Sequence, residues 1–174
     1  MAETTAAERN AGVAGPPRLD GIDHVSFPCR DLEEGIRFYR DVLGGKMLVR
    51  EDAFALFEIC GARFGIGSAG CTFIEPGTEY PHIGFACNAD ALVAMQNWLA
   101  RCGIPTTNPW TRHGVEALLF FRDPSGNVIE LFCHEGYEDA PNLPRGPARG
   151  HGITIDIDAI SYSEWHLPED FDPA

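Results

Sequence analysis

The feature that most restricts the fold of this chain is a unit that occurs twice. His24-Val25-Ser26-Phe27-Pro28-Cys29 and His82-Ile83-Gly84-Phe85-Ala86-Cys87 each read as a short apolar strand, and each is followed by an amphipathic pattern that stops at a glycine. From His24 to Gly44 is 20 residues and from His82 to Gly103 is 21. In the first unit Asp31 and Glu34 have capping-box spacing, and Leu32, Ile36, Tyr39, Val42 and Leu43 fall on one helical face. In the second, Leu92, Met95, Trp98, Leu99 and Cys102 do the same, and Gly44 and Gly103 have the place of helix-ending glycines. Two strand-helix units of nearly equal dimensions predict two modules of one architecture.

Each unit continues with strand patterns. Residues 46–50, 54–60 and 63–68 follow the first helix; 104–107, 116–122 and 127–133 follow the second, with a hairpin turn at Asp123-Pro124-Ser125-Gly126. The expected class is α+β, built from two βαβββ modules. Residues 1–18, rich in Ala, Gly and Thr, are expected to form a disordered arm, 19–78 the first module and 79–135 the second. Residues 136–174 form an extension in which 153–158 alternate as an edge strand. Tyr162 and Trp165 are expected to dock this tail on the body or on a second subunit, a lid over the active site being the other reading.

Composition removes several classes of function. A formal net charge of −13, with Lys46 the single lysine, repels a phosphate backbone, so no nucleic-acid partner is expected. No apolar run approaches the ~20 residues of a membrane span, and the N-terminal residues have no apolar secretory core, so a cytosolic protein is expected. The six scattered cysteines suggest reduced, buried thiols. The acidic residues near the end, Glu164, Glu169, Asp170 and Asp172, suggest a solvated run.

Two histidines at matching places in a repeat, with Glu130 closing the last apolar strand, suggest a divalent-metal site. Imidazole and carboxylate suit Fe(II), Mn(II), Zn(II) or Ni(II), and three such ligands leave coordination positions open. The doubled module, the first-strand histidines and the ending Asp123-Pro124-Ser125-Gly126-Asn127-Val128-Ile129-Glu130 resemble the vicinal oxygen chelate superfamily across about residues 20 to 135. That resemblance implies a curved mixed sheet around a metal site, with His24, His82 and Glu130 as metal ligands meeting in its concavity and Glu75 as the candidate fourth ligand. It implies a homodimer that completes or covers the concave site, and a small-molecule substrate with two neighbouring oxygens. The leading expectation is a non-haem Fe(II) dioxygenase acting on a catechol-like substrate. The alternatives are a lyase or isomerase of glyoxalase or epimerase type, and a metal-free drug-binding protein.

Around those ligands, His113 is the candidate general acid or base, because its ordinary pKa lies near neutrality. Arg112 is the candidate partner of a substrate carboxylate, and Trp110 and Phe120 are candidate walls for an aromatic substrate. Two departures bear on the reaction. Ring-cleaving relatives commonly have tyrosine where this chain has Phe120, and a phosphonate-binding thiol transferase calls for more basic and hydroxyl groups than Thr111, Arg112 and Arg122 supply. His134 and His151 are read as structural.

Overall fold

The computed structural model describes residues 22–70, 73, 81–146 and 156–171. The expected arm, Glu75, His151 and the first half of the expected edge strand lie outside them. Strand β1 (Val25–Pro28) leads to α1 (Leu32–Arg37), which widens into a π-helical turn over Phe38–Val42, and then to β2 (Lys46–Arg50), β3 (Phe54–Ile59) and β4 (Ala62–Gly67). The second module has β5 (His82–Ala86), α2 (Ala89–Arg101), β6 (Ala117–Arg122) and β7 (Val128–Cys133). Asp31 caps α1 by accepting from the Glu34 N–H at 2.9 Å, and Asn88 caps α2 by accepting from the Ala91 N–H at 2.8 Å. Gly44 and Gly103, at φ +68° and +74°, end the two helical segments, as the spacing predicts.

The strands form two mixed sheets, ordered β1-β4-β3-β2 and β5-β7-β6. In each, the first strand lies parallel to the last, and the remaining pairs are antiparallel. The α+β class and the doubled module hold, but the second sheet is a strand short. Pro105 and Pro109 remove two N–H donors from the segment after α2. Thr107 donates to the Phe120 carbonyl at 2.9 Å and Trp110 forms an isolated bridge to Leu118, but residues 104–107 form no strand.

One apolar core joins the helix-facing sides of both sheets, from Ile36, Phe38, Tyr39, Phe57 and Ile66 to Leu92, Leu99, Leu119, Phe121 and Ile129. The Trp98 indole N–H donates across the modules to the Val42 carbonyl at 3.2 Å. The Asp123 turn is the second tie. Asn127 Nδ2 donates to the Pro28 carbonyl, the Arg30 N–H donates to Ser125 Oγ, and the Tyr39 hydroxyl donates to Asp123 Oδ2 at 3.1 Å. Five cysteines among the described residues are free thiols; Cys60, in the β3–β4 turn at φ +53°, is exposed rather than buried.

The described part of the extension docks on the body. Pro144–Gly146 pairs with Thr111, and Gly146 lies where a Cβ would come 1.9 Å from the Trp110 ring. Asp158, expected to end an edge strand, instead opens a 3-10 turn over Asp158–Ile160. Ile157 and Ile160 pack with Trp110, Leu118, Phe120 and Val128, a second apolar cluster on the opposite face of the second sheet. The cause is local. Ile157 and Ile160 stand three apart, and a 3-10 turn places both on one side, against a face with apolar area to cover. Farther on, Trp165 donates to Glu34 Oε1 at 3.0 Å and meets Phe38 edge-on.

Candidate metal centre

The period of two along each strand separates core from site. In the second sheet Ala117, Leu119, Phe121, Ile129, Leu131 and Cys133 face the helices, which leaves Leu118, Phe120, Val128, Glu130 and Phe132 on the other side. Register places Gly84 of β5 and Phe120 of β6 on either flank of Glu130, and His82 beside Val128. His82 Nε2 comes to 3.6 Å from Glu130 Oε2, with the two side chains 14% and 6% exposed. The other carboxylate oxygen, Oε1, lies 3.5 Å from Arg112 Nη2. The Arg112 guanidinium sits over the Trp110 ring at 4.8 Å, and the His82 ring packs edge-on against Phe120 at 5.3 Å. The structure thus brings His82, Glu130, Arg112, Trp110 and Phe120 together.

Two residues stand apart from that group. His24 precedes β1, its side chain is 53% exposed, and its Nδ1 lies 2.9 Å from Asp23 Oδ1. Among the described residues, no three His, Cys, Asp or Glu side chains gather closely enough to hold a metal, so His24 does not join His82 and Glu130 within one chain. His113 is exposed, and its Nδ1 lies 3.3 Å from Glu116 Oε1 rather than at Glu130. The candidate fourth ligand, Glu75, is outside the described residues.

Sequence reading missed two contributors. Glu116 is buried and accepts the N–H groups of Arg112 at 2.6 Å and His113 at 2.8 Å. Burial pushes its pKa up, but these backbone donors outweigh burial and hold it at about 2. A fixed anion therefore pins the loop that delivers Arg112. The signal was a lone acid four residues after the arginine in an otherwise apolar and glycine-rich stretch. Gly84 is the other; a Cβ there would stand 3.0 Å from Glu130 Oε2, so the glycine sets the resting place of the carboxylate.

The donors fit a divalent ion in part. An imidazole nitrogen and a buried carboxylate, of the kinds that borderline and hard divalent ions select, converge on one face, with the carboxylate resting close against Gly84. Gly84→Ala should displace the Glu130 carboxylate and lower Mn(II) affinity roughly tenfold to a hundredfold, as changes to groups that position a ligand do. Calorimetric Mn(II) titration against wild type is the check, with circular dichroism to confirm the fold.

Known proteins share this fold. Metallothiol transferase FosB of Bacillus licheniformis is 29% identical over 116 residues, covering 66% of this chain and 75% of that one. The fosfomycin resistance protein FosX of Listeria monocytogenes superposes with a TM-score of 0.59 at 19% identity, covering 71% of this chain and 96% of that one. A point mutant of the same listerial protein has also been solved with Mn(II) and 1S,2S-dihydroxypropylphosphonic acid. A glyoxylase/bleomycin resistance protein/dioxygenase domain from Frankia sp. superposes at 0.56 with 26% identity, over 68% of this chain and all of that one. Residues 21–131, which contain both repeated units and Glu130, match the family as a whole: this chain belongs to the Glyoxalase/Bleomycin resistance protein/Dioxygenase superfamily.

Proposed function

We propose that this protein is a divalent-metal enzyme that opens or transfers a group onto a small oxyanion-bearing electrophile, the metal being held by His82 and Glu130 of one chain and His24 of the partner subunit. The observation that carries the proposal is the Glu130 carboxylate, buried between His82 on one oxygen and Arg112 on the other. The bound metal supplies Lewis acidity, polarising a substrate oxygen. Arg112 offers a planar guanidinium to the anionic end of the substrate, braced beneath by Trp110 and Phe132. Phe120 keeps an apolar edge against His82.

The ring-cleavage expectation finds less support in these residues. Phe120 brings no hydroxyl to the site, and His113, the candidate general acid or base, turns to Glu116 and not to Glu130. FosB and FosX are named for transferase activity and fosfomycin resistance, and the FosX complex carries Mn(II). Mn(II) is therefore proposed here in place of the expected Fe(II).

The first sheet supports completion by a second copy. Val25 and Phe27 face the core, so the alternation turns His24 and Ser26 to the opposite, open side. All five residues of edge strand β2 are exposed, including Met47, Leu48 and Val49 at 42%, 39% and 37%. An apolar edge of this kind calls for cover, and a homodimer supplies it while carrying His24 to the other chain's site.

The test combines metal content with reaction class. Protein purified anaerobically without a His tag and loaded with Mn(II) should bind about one ion per chain and consume fosfomycin in the presence of a thiol or water, followed by phosphorus NMR, without oxygen uptake on catechols. Iron-dependent oxygen uptake would return the assignment to ring cleavage. Failure to retain any metal after reconstitution would leave a ligand-binding protein.

A further inference from the structure

We propose that Arg122 and Arg30 form a second anion site, remote from the metal centre, that binds a small oxyanion in a cavity walled by the C-terminal extension. The site does not depend on the reading of the metal centre. Arg122 is 5% exposed. Its Nη1 donates to the Gly126 carbonyl at 2.6 Å and its Nη2 reaches the Ile157 carbonyl at 3.4 Å. Its Nε is buried with no acceptor. Among the described residues Arg122 forms no ion pair. A buried guanidinium ordinarily has a counter-ion, because uncompensated burial of charge is costly. Burial here does pull its pKa down.

The neighbouring acids do not supply that counter-ion. Asp123 turns both oxygens to the Tyr39 hydroxyl and to the donors of Ser125 and Asn127. The exposed Asp158 and the buried Asp123 both attract Arg122, but only from beyond ion-pair distance. A cavity of about 200 Å³ lies instead against Arg122, bordered by Arg30, Ser125, Ser161 and Tyr162, and by Asp123, whose carboxylate oxygens are taken up by the donors just named. Arg30 brings a second guanidinium, held over the Phe73 ring at 3.9 Å, while its backbone N–H is tied to Ser125 Oγ. Tyr162 closes the wall by donating to the Arg122 carbonyl at 2.9 Å. Two cations and the Ser161 hydroxyl at one cavity, in a chain of net charge −13, mark a site for an oxyanion such as a phosphate or carboxylate group. Ser161 and Tyr162 lie beyond residues 21–131, so the family match does not account for the wall.

Calorimetry with inorganic phosphate, sulfate, acetate and citrate tests this on the full chain stripped over a chelating resin, so that no bound metal collects the anion. Wild type should bind one oxyanion per chain, and Arg122→Met should weaken binding tenfold or more, as loss of a charge-assisted donor does. Arg30→Gln, at an exposed position, and Ser161→Trp, at the cavity wall, should also weaken it without unfolding the protein. Arg112→Gln should leave it unchanged. Preference for phosphate or sulfate over the carboxylates identifies a phosphate-type ligand, and the reverse order a carboxylate; either order supports the site. Absence of saturable binding in wild type would overturn the proposal, as would loss of binding in Arg112→Gln with retention in Arg30→Gln.

Discussion

Asp123→Ala is expected to destabilise the protein by about 3 to 5 kcal/mol, the scale of removing one partner from a buried charged network. The carboxylate is buried and accepts four hydrogen bonds: from the N–H groups of Ser125 and Asn127 on Oδ1, and from Asn127 Nδ2 and the Tyr39 hydroxyl on Oδ2. Alanine would leave these donors facing apolar core at the joint between the modules. Urea denaturation at pH 7 is the check, and a loss under about 1 kcal/mol would show that the joint relaxes around the gap. Asp123→Asn should cost less, because its carbonyl can keep both backbone donors and only the Oδ2 contacts must rearrange.

The same residue sets a pH dependence with a definite sign. Burial, opposed by those hydrogen bonds, raises the Asp123 pKa from 3.8 to about 6. The folded state therefore holds a proton that the unfolded state has released, and stability falls as pH rises from about 4 to about 6, by roughly 3 kcal/mol. Glu116 acts in the opposite sense: held at about 2 against an ordinary 4.5, it loses its contribution as pH falls through that window. Denaturation profiles should show the first slope in wild type and a flatter one in Asp123→Asn.

The second large effect concerns His24. His24→Ala and Glu130→Gln should each, alone, lose more than about a hundredfold in activity and Mn(II) affinity. Refolded together in equal amounts, they should recover about a quarter of wild-type activity, because half the dimers are mixed and each mixed dimer has one intact site of two. A mixture as inactive as its components would show that each site is built within one chain. His82→Ala mixed with Glu130→Gln should recover nothing, since their side chains belong to one chain's half of the site.

Much of this was legible residue by residue. The helix faces, both caps and the terminating glycines follow local rules, and the pairing of His82 with Glu130 follows from strand alternation once the repeat is seen. The alternation at 153–158 suggested a strand, but its described end turns to lay Ile157 and Ile160 on an apolar face that no local pattern reveals. His113 carried the right chemistry in the right loop, yet its direction depends on Glu116 three residues away and buried beneath it.

The sequence by itself determined the two modules, the faces of their strands and the donors available for a metal, because those depend on periods of two and 3.6 residues and on side-chain chemistry. Only the tertiary structure decided which faces meet. The Asp123 turn and the Trp98–Val42 contact lock the modules together through their helix-facing sides. That packing keeps His24 away from His82 and Glu130 within one chain, and the docked extension leaves Arg122 buried beside a cavity. These outcomes turn on contacts between residues as far apart as Tyr39 and Asp123, whose energies are set by complementary burial and not by any pattern along the chain.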